Sequence, residues 1–189
     1  MTAVLDLAPA VRRPDVQDDL DVALHIPTIR VEVLACGAPD RGDDAASVIA
    51  VGRLADLLPD DVRARIVGQL DIDDLLAVPA GAGAVVVDTA VGVDPGWIVE
   101  IPFSGLAGRE SGIRPRSSHA LSIPETIGVA SIIRGRPLQG MVVAIGGIDF
   151  GLGEALSWPV AAAMDALVLA ITDAVDRVRG LVVNARRLG

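Results

Sequence analysis

The sequence predicts an α/β fold: a three-layer sandwich in which a mostly parallel, twisted sheet carries helices on both faces. Two observations lead there. Short apolar segments of strand length alternate with segments whose apolar residues recur at helical spacing, a pattern that builds parallel sheets covered on both sides. At 189 residues, the chain also has the length of one domain with a core that needs no staples.

Residues 1–27 show no clear period, carry Pro9, Pro14 and Pro27 among several acids, and read as a loose N-terminal extension. A single domain is expected over residues 28–180, and a short C-terminal tail over 181–189. Ile29–Cys36 alternates and then turns apolar, as a strand entering a sheet does. Within Asp44–Leu58, apolar Val48, Val51, Leu54, Ala55 and Leu58 recur at helical spacing, and Pro59 follows. Arg63–Leu70 reads as a strand with apolar Ala64, Ile66 and Val67, and Asp71–Val78 as a short helix. Ala84–Val87 is a buried strand ending at Asp88, and Trp97–Ile101 a candidate antiparallel or edge strand. Ser122-Ile123-Pro124-Glu125 has capping-box spacing with proline in the first turn, and opens a helix to about Arg134. Gln139–Ile145 is another strand. Ser157 is expected to cap the last helix, where Val160, Met164, Leu167, Ile171, Val175 and Val178 form one apolar stripe and Gly180 supplies the stop.

Composition narrows the function classes. Mean hydropathy is high, at +0.52, but the excess is alanine and valine in amphipathic segments. No apolar run approaches the roughly 18 residues of a membrane span, so no membrane partner is expected. Ala3-Val4-Leu5 is too short for the apolar core of a signal peptide, which reads as a cytoplasmic chain. A net charge of −9 argues against nucleic acid and anionic membranes as partners. The single cysteine, Cys36, excludes an internal disulfide and any multi-cysteine metal site. All 16 basic residues are arginine, so no phosphate loop with its lysine exists at Gly146-Gly147 or Gly151-x-Gly153.

In folds of this kind the site lies beyond the carboxyl ends of the strands. Three such places carry candidate chemistry. After the first strand, Asp43 and Asp44 open a helix; taken alone, Asp43 is an N-cap and Asp44 an acid favoured by the helix dipole. Asp88 follows a buried strand and either lines the cleft floor or binds loop amides. His119, in Ser117-Ser118-His119, is the one histidine outside the extension; a lone loop histidine is ordinarily structural or solvated. Together, two carboxylates and a neutral imidazole suit a divalent transition metal with positions left open, for a substrate-borne metal or for water activation. Ligation requires neutral His119 and both acids ionised, so affinity should fall in acid. Cys36 at its strand end reads as packing rather than as a nucleophile. Ser117 and Ser118 lack the elbow motif of a serine nucleophile. The 105–112 segment with Arg109, and Arg114 and Arg116 beyond it, reads as a solvated connector or as a contact for the acidic or C-terminal part of a protein substrate.

The order of these pieces resembles the hydrogenase maturation endopeptidases, which trim the C-terminus of the large subunit of [NiFe] hydrogenases. Val33-Leu34-Ala35-Cys36-Gly37-Ala38 followed by Asp43-Asp44 is similar to the family's first strand, glycine loop and acidic pair. Val85-Val86-Val87-Asp88-Thr89-Ala90 matches its strand ending in Asp, Ser117-Ser118-His119-Ala120-Leu121 its Ser-x-His turn, and Gly153-Glu154-Ala155-Leu156-Ser157-Trp158-Pro159-Val160 the stretch before its final helix. The resemblance covers residues 30–178. It implies that Asp44, Asp88 and His119 contact a metal, with Asp44 and Asp88 catalytic in an aspartic-type or metal-assisted cleavage. It also implies that no cofactor is held permanently. Nickel arrives with the substrate, the hydrogenase large-subunit precursor, and other divalent metals can stand in for it in vitro.

The chain departs from the family at three turns: Ala38 replaces an asparagine, Gly68-Gln69-Leu70-Asp71 a Gly-Gly-Thr-like turn, and Gly146-Gly147-Ile148-Asp149 a Pro-Glu-Ser-like turn. These leave two other readings open: a non-cleaving maturation chaperone or nickel-binding accessory protein of the same fold, and a different hydrolase on a similar scaffold.

Overall fold

The computed structural model describes residues 28–106 and 121–188. The expected extension over residues 1–27 and the His119 segment lie outside the described residues. Strands β1 (Val31–Cys36), β2 (Val62–Gly68), β3 (Gly83–Ala90), β4 (Ile98–Pro102) and β5 (Gly140–Gly146) form one sheet in the order β2-β1-β3-β5-β4. All neighbours run parallel except β4, which pairs antiparallel with β5 at the edge, as expected for that segment.

Strand alternation sends successive side chains to opposite faces, and each face finds its helices. On one, Val33, Ala35, Val85, Val87, Val143 and Ile145 pack against α1 (Ala46–Leu54) and α4 (Trp158–Leu188). On the other, Leu34, Cys36, Ala84, Val86 and Val142 pack with residues of α2 (Ile72–Leu76) and α3 (Ile123–Ile133). The three-layer sandwich read from the sequence is therefore the observed architecture.

Local signals set the helix starts. Ser122 and Glu125 form the expected capping box on α3, with Pro124 in the first turn. Asp71 and Asp74 form a second such box on α2, within the turn that departs from the family pattern.

Two expectations need correction, at the ends of β3 and of α4. The strand ending at Asp88 runs on through Thr89 to Ala90, because Asp88 pairs with Ala144 and Ala90 with Gly146 of β5. Ile66 is 63% exposed on edge strand β2, while Glu32 in the middle of β1 is fully buried. Arg63 and Arg65 (3.1 Å) of β2 bind the Glu32 carboxylate, and Arg65 also reaches Asp74 (3.3 Å), so a buried acid is paired rather than left alone. Finally, α4 does not stop at Gly180 but continues to Leu188, so residues 181–188 are not a separate tail. A helical glycine costs about 1 kcal/mol. Burial of Val182 against the notch at Gly83, where an added Cβ would lie 2.4 Å from Val178 and 3.2 Å from Val182, offsets that cost.

By length and composition alone, Trp158–Ala185 is also apolar enough to cross a membrane, with mean hydropathy 1.5. Its buried stripe of Val160, Met164, Leu167, Ile171, Val175 and Val178 lies in the sheet core, which accounts for much of that hydropathy.

Candidate functional site

The sheet reverses its winding between β1 and β3, and open α/β sheets place their clefts at that point, beyond the carboxyl ends of the strands. Asp44 comes from the loop after β1, and Asp88 from β3 itself. Alternation puts the Asp88 side chain on the face of Val86, the same face as Cys36 of the neighbouring strand.

The β1 loop is shaped by glycine. Gly37 has φ +107°, its N–H donates to the carbonyl of Gly68 (2.7 Å), and a Cβ there would lie 2.0 Å from the carbonyl oxygen of Asp44. The loop folds back so that the N–H of Ala38 donates to Asp44 Oδ2 (3.1 Å). The register slips between Ala35 and Cys36, which frees the chain to leave the sheet at this point. Gly37→Ala should therefore cost about 2 kcal/mol or more and displace Asp44. Gly92→Ala is the control: its φ is +91° but nothing stands within 4 Å of the added Cβ. Urea melts of the two variants compare the clash with simple backbone strain.

Asp88 is partly buried and carries the clearest electrostatic signature. Burial raises its pKa, the backbone N–H of Thr89 lowers it, and the nearby Asp44 charge raises it again, leaving it pushed up to about 6. Burial, then the charges of Asp88, Asp74 and Asp44, push the Cys36 thiol well up, so it stays protonated and serves the core, as its sequence position implied.

Asp43 has a role that its position at a helix start did not reveal. It is fully buried and caps no helix of its own; the N-cap of the 3-10 turn Gly42–Ala45 is Arg41. Its Oδ2 accepts from the N–H groups of Ile148 (2.9 Å) and Asp149 (2.9 Å) and from the Ser157 hydroxyl (2.9 Å), while Oδ1 accepts from the Ser157 N–H (2.7 Å). Its own N–H donates to the Asp149 carbonyl (2.7 Å), and its carbonyl accepts from Thr89 Oγ1 (2.9 Å). Burial would raise its pKa, but these donors outweigh it and the net shift is downward. Asp43 thus locks the loops after β1 and β5, the end of β3 and the start of α4 into one frame. Ser157 precedes the last helix as expected, but its hydroxyl serves Asp43. The signal was in the sequence: Ser157 has Val160 three residues on, whereas Ser122 has Glu125, so only Ser122 could complete a capping box.

The Gly146-Gly147 turn belongs to the same frame. A Cβ on Gly146 would lie 2.1 Å from the Asp94 carbonyl oxygen, and one on Gly147 would lie 2.6 Å from Thr89 Cγ2. The turn therefore packs with no side chain.

Of the three candidates, Asp44 and Asp88 stand together near the winding reversal. His119 lies outside the described residues. Among the described residues, no group of three or more His, Cys, Asp or Glu is placed to hold a metal ion. What the pair offers is two carboxylates whose charges oppose one another, with the pKa of Asp88 pushed up to about 6. That suits accepting a proton from water or sharing a cation delivered from outside.

No family model matches the chain, and neither does any curated protein. Solved structures do. The [NiFe] hydrogenase maturation protease HybD from Thermococcus kodakarensis is 25% identical, with TM-score 0.58, over 77% of this chain and 99% of that one. The hydrogenase maturating endopeptidase HybD from E. coli is 18% identical, with TM-score 0.64, over 79% and 93%. The [NiFe] hydrogenase maturation protease HycI from T. kodakarensis KOD1 is 20% identical, with TM-score 0.60, over 86% and 99%. The likeness expected from the strand-end motifs is thus present in three dimensions: the chain is a structural relative of the hydrogenase maturation endopeptidase family.

Proposed function

We propose that the protein is an endopeptidase of hydrogenase maturation, which removes the C-terminal extension of a nickel-loaded large subunit. Asp44, Asp88 and His119 grip the nickel that the substrate brings, and a carboxylate or that metal activates the water. In either case water adds to the scissile carbonyl, and the proton it loses is passed to the departing amine. The protein holds no cofactor of its own; the nickel comes and leaves with the substrate. The cytoplasmic reading of the sequence belongs to this proposal.

The observation that carries it is the convergence of Asp44 and Asp88 near the winding reversal, in a fold shared with three solved maturation proteases. The test is to mix the protein with nickel-loaded precursor and follow the precursor's mass. A loss of the C-terminal peptide is expected, absent with nickel-free precursor. An intact precursor that an established maturation protease does cut would overturn the reading.

One observation favours a second reading. The Gly146-Gly147 turn is packed too closely to carry side chains, where the family that the chain resembles has a Pro-Glu-Ser-like turn. A chaperone that holds the precursor without cutting it would co-purify stably with the uncut form.

A further inference from the structure

Of the thirteen large hydrophobic side chains exposed among the described residues, six gather at the carboxyl end of the parallel strands: Val91, Trp97, Leu121, Ile148, Leu152 and Trp158. They include both tryptophans of the chain, 68% and 81% exposed. The segments that carry the two tryptophans touch each other and the end of β5. A Cβ on Gly96 would lie 2.6 Å from the Pro159 carbonyl oxygen, the Gly96 N–H donates to the Gly146 carbonyl (2.8 Å), and the Gly146 N–H donates to that of Trp97 (2.8 Å). The Ile148 amide is held by Asp43 at 2.9 Å, so the rim is fastened to the frame that carries Asp44. An apolar cluster on a fixed frame marks an interaction surface, and tryptophan is among the residues that most often dominate such surfaces.

The charge around the cluster describes its partner. Among the described residues of the loops after β1, β3 and β5, Asp40, Asp94, Asp149 and Glu154 are exposed acids, against Arg41 as the one base. Two copies meeting here would set acid against acid on chains of net charge −9. A protein substrate with a basic face, by contrast, would meet these acids with opposite charge while its peptide reaches the carboxyl end of the same sheet.

We propose that the rim of Trp97, Trp158, Ile148, Leu152 and Val91 is the docking surface for the folded body of the protein substrate, whose complementary face is apolar and basic. The inference rests on the proposed function and separates two tasks: the rim supplies affinity, and the carboxylates act on the peptide that the docked body presents.

The two tryptophans are also the probe. In full-length protein labelled with 5-fluorotryptophan, two fluorine resonances report on the rim. Adding uncut nickel-loaded precursor should shift and broaden both. Trp97→Ala/Trp158→Ala should raise KM about tenfold or more while kcat stays within about twofold; both side chains are exposed, and an unchanged melting temperature confirms that the fold is intact. If the precursor is cut while the resonances stay still and the double variant keeps its KM, the docking surface is overturned and the protease reading stands. If the resonances shift but nothing is cut, the protease reading falls and the surface stands. Shifts that follow protein concentration without precursor would assign the rim to a second copy, and a precursor neither bound nor cut would remove both proposals.

Discussion

Asp88→Asn should give a protein that processes no precursor and is more stable than the parent at pH 7.5. Burial chiefly, with the Asp44 charge added, holds the Asp88 carboxyl protonated up to about pH 6, against an ordinary value of 3.8. Between those values the folded state binds more protons than the unfolded one, so this group's contribution to stability declines as pH rises through the window. Above about pH 6 the ionised carboxylate costs the fold on the order of 2 kcal/mol, which asparagine does not incur. Denaturant midpoints of parent and variant should therefore separate between pH 4 and 7.5, with the variant ahead at the upper end. Equal midpoints across that range would mean that ionised Asp88 costs the fold nothing. Under the proposed function, activity should fall by about 10² or more, since the variant lacks one of the two carboxylates that would hold the metal or take the proton. In the parent, activity should rise with pH along a limb near pH 6, as the carboxylate form appears.

Asp43→Ala should have the opposite profile, with a large loss of stability and a loss of activity that follows from it. The substitution leaves three buried or partly buried N–H groups, those of Ile148, Asp149 and Ser157, and the Ser157 hydroxyl without their acceptor. Each unsatisfied donor costs about 1–3 kcal/mol, and because these four are only partly buried the low end applies, so a total of about 4 kcal/mol is expected, read as a shift in urea midpoint. Ser157→Ala removes one donor and leaves the others, and should cost about 1 kcal/mol. The pH signature is also reversed. The Asp43 pKa lies below the ordinary value, so its contribution is complete above that value and disappears as pH falls through the folded pKa. If Asp43→Ala melts within about 1 kcal/mol of the parent, the lock is not what holds these loops.

The sequence made the layers legible because its local and long-range signals agree. Val85, Val86 and Val87 can only be a strand buried on both faces, Ser122-x-x-Glu125 caps a helix wherever it occurs, and the Val160 to Val178 stripe has one face to bury. Asp44 and Asp88 could be placed near the carboxyl ends of β1 and β3 because the wound topology sends the carboxyl ends of all the parallel strands to the same side. Asp43 could not be read correctly, because the partners of its carboxylate lie more than 100 residues away and a local view offers only a cap. The pairing of Glu32 was out of local reach for the same reason: Arg63 and Arg65 become its neighbours only once β2 has paired with β1. The end of α4 was misjudged because a glycine's local cost is smaller than the burial that Val182 gains against the sheet.

The long span of the Asp43 contacts also bears on the order in which the protein is made. A chain emerging from the ribosome presents Asp44 and Asp88 early, but Ile148, Asp149 and Ser157 follow Asp43 by 105 to 114 positions. Until those residues arrive and α4 docks, both acids exist while the frame that aligns them does not. The frame around the two acids is thus completed last, and a chain stalled after β5 carries Asp44 and Asp88 with no fixed geometry between them.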